Sequence, residues 1–122
     1  MNKYFTNNKL RMLYLSSVFL FLQPIKEAYS QKVFEVEYKY QADISVQVVD
    51  ASYKADLLVF KAKSALEVDG NNGVWFFTKE AYTASKKLYF VSNEYQSDLR
   101  IYYVKERYKA GWKNPEKRYL LD

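Results

Sequence analysis

Tyr95-Gln96-Ser97-Asp98-Leu99-Arg100-Ile101-Tyr102-Tyr103-Val104 is one copy of a unit that recurs along most of this chain. Tyr40-Gln41-Ala42-Asp43-Ile44-Ser45-Val46-Gln47-Val48-Val49 is a second copy, and Tyr53-Lys54-Ala55-Asp56-Leu57-Leu58-Val59-Phe60-Lys61-Ala62 a third. Tyr40, Tyr53 and Leu66 start units thirteen residues apart; Tyr82 follows after sixteen, then Tyr95 and Tyr108 at thirteen each. The extra three residues fall in the third unit, where Gly70-Asn71-Asn72-Gly73 reads as a surface loop. Self-similarity at a fixed period signals a repeat architecture in which no unit buries a core alone.

The half of each unit after the Asp is strand-like. Ile44 and Val46, Leu57 and Val59, Leu99 and Ile101 alternate at period two, the pattern of a half-buried strand. The reading predicts strands near 32–38, 43–49, 56–62, 74–78, 86–92 and 98–105, with a weaker one near 117–121. Lys61 to Val68 could make one helical turn, but no run has the length of an ordinary helix. The fold class is all-β: short strands in units of roughly thirteen residues, wound round one core.

The 122 residues suffice for one small domain. Hydrophobic residues make up 49% and aromatics 19%, thirteen of them tyrosines, a composition that favours strands. Only three glycines and two prolines are present, so Asp, Asn and Ser must make most turns. Cysteine and histidine are absent. Disulfides, thiolate chemistry, zinc sites built on those residues and histidine acid–base catalysis are therefore excluded.

Residues 1–30 read as a secretory signal peptide, and 31–122 as the exported domain. Lys3, Lys9 and Arg11 form a positive start, and Met12 to Leu22 is an apolar run broken only by Ser16 and Ser17. Pro24 ends any helix, and Ala28-Tyr29-Ser30 supplies small residues for a cut after Ser30. The run is about half of the ~20 residues a membrane span needs, so the reading implies no permanent membrane anchor after cleavage. The destination is secreted or periplasmic. The formal charge of +5 is misleading: beyond residue 30, fifteen Lys/Arg face thirteen Asp/Glu. That balance does not indicate nucleic-acid binding, and Lys86-Lys87 and Lys117-Arg118 read as solvated pairs.

The repeated Ala-Asp-Leu-x-Val-x-x-Val run, with Tyr108-Lys109-Ala110-Gly111-Trp112-Lys113-Asn114 near its end, resembles the septoil knot domain family over about residues 32–121. That mainly bacterial family has no assigned function. The resemblance implies a small all-β fold tied as a seven-crossing torus knot, and it carries over no catalytic residue and no cofactor. Two units depart from the pattern: Leu66 replaces the leading tyrosine in the third, and Ser85-Lys86-Lys87 stands where Asp-Leu would be in the fourth.

Asp43, Asp56, Asp69 and Asp98 invite a calcium or glycosidase reading. The bland reading is stronger: each precedes a strand, where its side chain can accept from a backbone N–H two residues on. Trp75, Phe76, Phe77, Tyr89, Tyr102, Tyr103 and Trp112 could stack sugars or a partner, although most must be core. Tyr102 and Tyr103 cannot both point inward in a regular strand, so Tyr102, Tyr103 and Trp75 form the candidate interaction surface. The functional expectation is a non-enzymatic binding module of the cell envelope or exterior, with a glycan or an envelope protein as partner. The alternative is a structural protein whose topology resists unfolding and proteolysis, and a carboxylate hydrolase comes last. If the leader is read correctly, N-terminal sequencing of protein recovered outside the cytoplasm will begin at Gln31; a cytosolic product retaining Met1 would overturn export.

Overall fold

The computed structural model describes residues 31–122, and the expected signal peptide lies outside the described residues. Seven strands form: β1 Lys32–Glu35, β2 Ile44–Val48, β3 Leu57–Lys61, β4 Val74–Phe77, β5 Lys86–Phe90, β6 Leu99–Val104 and β7 Gly111–Trp112. Each connection carries one short 3-10 turn centred on the first residue of a repeat unit. The predicted strand at 117–121 is instead part of a 3-10 helix, Pro115–Leu121. Pro115 sets the helical entry angle there, and its Leu121 is drawn into the core.

β1 to β6 close into a parallel barrel in the order β4-β1-β5-β2-β6-β3, with β3 returning to β4. Successive strands are therefore not neighbours, except β3 and β4. Register explains how eight-residue connections suffice, when a parallel crossover ordinarily needs a dozen residues or more to return along the strand. Glu35 at the end of β1 is level with Leu88, which is level with Ile44 at the start of β2. Val48, Ile101 and Leu57 are level in the same way, as are Phe77, Val33 and Lys86, and Phe90, Val46 and Leu99. Each pass ends where the next begins, so the connection travels only sideways, about 10 Å across one intervening strand. Thirteen residues are five of strand and eight of arch.

The arches 36–43, 49–56, 78–85 and 91–98 straddle β5, β6, β1 and β2 in turn. In each, the first residue donates to a carbonyl on one side of the straddled strand and the last residue to the preceding carbonyl on the other. Val36 and Asp43 donate to the Leu88 and Lys87 oxygens at 2.8 Å each, and Val49 and Asp56 to those of Ile101 and Arg100, also at 2.8 Å. The arch 105–110 straddles β3 likewise, since β3 pairs with β6 on one side and antiparallel with β7 on the other.

Alternation along the strands fills the barrel. Val33, Ile44, Val46, Leu57, Val59, Trp75, Leu88, Leu99 and Ile101 form the core. At the end where the strands start, Trp112, Leu120 and Leu121 pack against it. At the opposite end Phe77, Phe90 and Tyr103 cover it, with the Lys61 ammonium 4.2 Å from the Tyr103 ring centre. Burial pushes the Tyr103 hydroxyl up to about 12, with Glu35 adding to the shift.

The third connection, 62–73, is longer because it must clear the C-terminal segment. β7 occupies the first half of the β3 edge, at Leu57 and Leu58, and β4 the second, at Phe60 and Lys61. Gly70 to Gly73 is consequently no simple surface loop. Asn71 is 6% exposed; its amide donates to the Arg118 carbonyl and the Asp122 carboxylate, and its oxygens accept from the Trp112 indole. Gly73 has φ +88°, and a Cβ there would strike the Leu58 carbonyl and lie 2.9 Å from the Gly111 nitrogen. Only glycine fits at that seam.

Interleaved arches make complete unfolding require more than fraying one edge. The unfolding limb of a chevron, extrapolated to water, should give a rate far below about 1 per second. A rate at or above that value would show that the interleaving adds no kinetic barrier.

Candidate functional site

The recurrent aspartates act across the barrel, not within their own turns. Asp43 accepts from the Lys87 N–H at 2.7 Å, Asp98 from Ser45 at 2.9 Å and Asp56 from Arg100 at 2.9 Å. Each of these aspartates also donates its own N–H to the carbonyl of that same partner residue. The carboxylate thus takes the place of a backbone carbonyl and pins an arch to the strand it straddles, 44 to 53 residues away. The expectation of a bond two residues on is corrected: the backbone turns away into the next strand, and the free acceptor reaches the neighbouring one. Ser85 takes the role in the fourth unit, its hydroxyl accepting from Gln31 N–H and donating to the Lys32 carbonyl. Asp69 stands exposed well before β4. The aspartates are spread round the barrel, and no three His, Cys, Asp or Glu side chains converge among the described residues.

Asp56 carries a second duty. It is 2% exposed and is held by the Lys117 ammonium at 3.2 Å and the Arg100 guanidinium at 3.6 Å. Its carbonyl accepts from Lys113 and Asn114. One residue therefore ties β3, β6 and the C-terminal helix. Burial pushes its carboxyl up, but the Arg100 N–H and the two cations together outweigh burial and hold it below the ordinary value.

The expected interaction surface is largely covered. Trp75 is fully buried, since the inward face of β4 points it into the core. Tyr103 packs against the core and Tyr102 is half-buried on the outer face. The most exposed aromatics lie elsewhere, at the first position of five of the six units, while Tyr38 and Tyr119 are exposed outside that series. Tyr40, Tyr53, Tyr82, Tyr95 and Tyr108 are 77–95% exposed, and Leu66 is 96% exposed. Each is the middle residue of a 3-10 turn at the crest of an arch. Their recurrence marked the repeat without being read as a surface. The signal was present: a bulky residue among polar turn residues, outside the alternating run, has no strand face to occupy.

Among the described residues, two open concavities related by the repeat lie between arches over adjacent strands. One, of about 620 Å³, is lined by residues of 34–41 with Ala81 and Lys87. The other, of about 500 Å³, is lined by residues of 47–54 with Glu94 and Arg100. Their linings correspond one repeat apart: Glu37 and Asp50, Gln41 and Lys54, Ala81 and Glu94, Lys87 and Arg100. In the second, Lys54 pairs with Asp50 at 3.0 Å and Arg100 with Glu94 at 3.2 Å.

A family model described as the 7(1) septoil knot domain matches residues 30–113. No curated protein and no solved structure matches the chain.

The pins yield a graded series. Asp43→Asn keeps an acceptor for the Lys87 N–H and should cost under about 1 kcal/mol. Asp56→Asn removes a buried charge from between two cations and should cost about 2 kcal/mol at neutral pH. Because the folded-state carboxyl is depressed, that difference is complete above the unfolded value near 3.8 and shrinks as the pH falls through the folded value. Urea melts of both variants at pH 7 and in acid check the order and the sign; equal costs, or a gap that widens in acid, would contradict the assignment.

Proposed function

The chain belongs to the septoil knot domain family, and we propose that it is a non-enzymatic exported module that binds its partner through the aromatic crests of its arches. The observation that carries this reading is the set of five tyrosines at one repeat position, all projecting into solvent. An exposed single aromatic is ordinary. Five at one architectural position are different, because exposure on this scale leaves packing with little use for them. Tyrosine offers a rigid apolar plate with a hydrogen-bonding tip at small entropic cost, which suits recognition. The module acts outside the cytoplasm, in the envelope or beyond it. A second reading, persistence against unfolding and proteolysis, draws support from the arches that straddle other passes of the chain, and the two readings are compatible.

Retention on washed envelopes of the native host tests the proposal. The full chain should sediment with them, and a variant with Tyr40, Tyr53, Tyr82, Tyr95 and Tyr108 all changed to Ser should stay in solution with its melting temperature within a few degrees of the parent. Equal retention of both, or no retention of the parent, would overturn it.

A further inference from the structure

The arrangement of the crests restricts what such a module can bind. Tyr82 stands on the arch over β1, Tyr40 over β5, Tyr95 over β2, Tyr53 over β6 and Tyr108 over β3. One tyrosine thus radiates above each of five strands of a six-stranded barrel, so the side chains diverge and cannot converge on one small ligand. The two repeat-related grooves lie at the β1/β5 and β2/β6 seams, two strands apart. That is a third of the way round, so a stiff chain seated in one groove does not reach the other.

Resting on the module reading above, we propose that the two grooves are equivalent sites for an uncharged polysaccharide and that one molecule of this protein cross-links two such chains. Charge decides the class. In the second groove both cations are already matched to carboxylates by close ion pairs. The first is lined by Glu35, Glu37 and Lys87, an excess of one charge. With one net negative charge in the first groove and none in the second, neither has the charge density that would attract a polyanion or hold a polycation. What they do offer is carboxylate and amide oxygens, which accept from hydroxyls, beside tyrosine faces onto which the C–H face of a sugar ring stacks. Tyr40 lines the first groove, its ring stacked on Tyr38 at 5.8 Å and still 84% exposed. No tyrosine lines the second, and its stacking face comes from the rim, where Tyr53 and Tyr95 stand one residue from the lining Lys54 and Glu94 and the Lys54 ammonium lies 5.8 Å from the Tyr53 ring centre. A polymer of repeating sugars meets a protein of repeating sites, and two weak sites in one molecule gain through effective concentration on a network.

The test uses the full chain with soluble linear glucan, mannan and galactan, with alginate as the anionic control. At least one neutral polymer should bind with two sites per protein and should be drawn into sedimenting aggregates. Tyr40→Ala with Tyr82→Ala should leave one site of unchanged affinity and abolish aggregation, and Tyr53→Ala with Tyr95→Ala should do the same. The fourfold variant should lose about tenfold or more in affinity while keeping the parent's circular dichroism. Binding of no neutral polymer, binding of alginate alone with steep salt dependence, or a stoichiometry untouched by either pair would overturn the proposal. Loss of envelope retention on removing the crests, with no polysaccharide bound, would remove this inference and leave the module reading standing.

Discussion

The structure depends on one constraint of register: each strand must end level with the start of the next. Once that holds, the chain never has to return along the barrel, and a connection of eight residues can step over an intervening strand. The stagger also tilts the strands and closes the sheet, leaving its barrel strands without a free edge. The paired hydrogen bonds at the arch ends hold the register. An N–H and a carboxylate oxygen from the last arch residue grip the C=O and the N–H of one residue of the straddled strand, and Ser85 does the same across the successive residues Gln31 and Lys32. Because those residues belong to a distant part of the sequence, every pin is a long-range contact, and local turn chemistry alone would not reproduce it.

The same geometry separates stability from surface. Inward residues of the strands carry the core, the arch ends carry the pins, and the arch crests carry neither. A crest is free to hold any side chain that tolerates a 3-10 turn. Five of six hold tyrosine, and the sixth holds leucine on the longer third connection. The grooves between crests inherit the repeat, so chemistry present at one seam recurs in related form at the next.

How far the sequence revealed this varies with the length scale of the interaction. Period two in Leu57–Lys61 or Leu99–Val104 is a local signal, and strand positions followed from it within a few residues. Thirteen-residue spacing showed that units share a core, but nothing local says that β1 lies between β4 and β5. The aspartates were legible as structural, whereas their partners were not, because Asp98 and Ser45 are brought together only by interleaving. Trp75 failed as a surface residue since aromatic character alone does not tell inside from outside. Gly73 and Asn71 were misread for a related reason. The glycine-rich stretch suggested freedom, yet it is the place where the C-terminal segment enters between β3 and β4.

The strand order also governs how the chain must behave while it is being made. β1 finds both its neighbours, β4 and β5, only after more than forty further residues, and β2 waits for β5 and β6. A nascent chain emerging from the ribosome therefore exposes three apolar strands with nothing to pair against. The native fold provides no hairpin among them as a stopgap, because β1, β2 and β3 run parallel. Assembly is deferred until nearly the whole sequence has been synthesised, and the early strands must be shielded meanwhile from one another and from other chains. Long-range pairing of this kind is slow to form, which makes the interval before closure, and not the finished barrel, the vulnerable period in the life of the molecule.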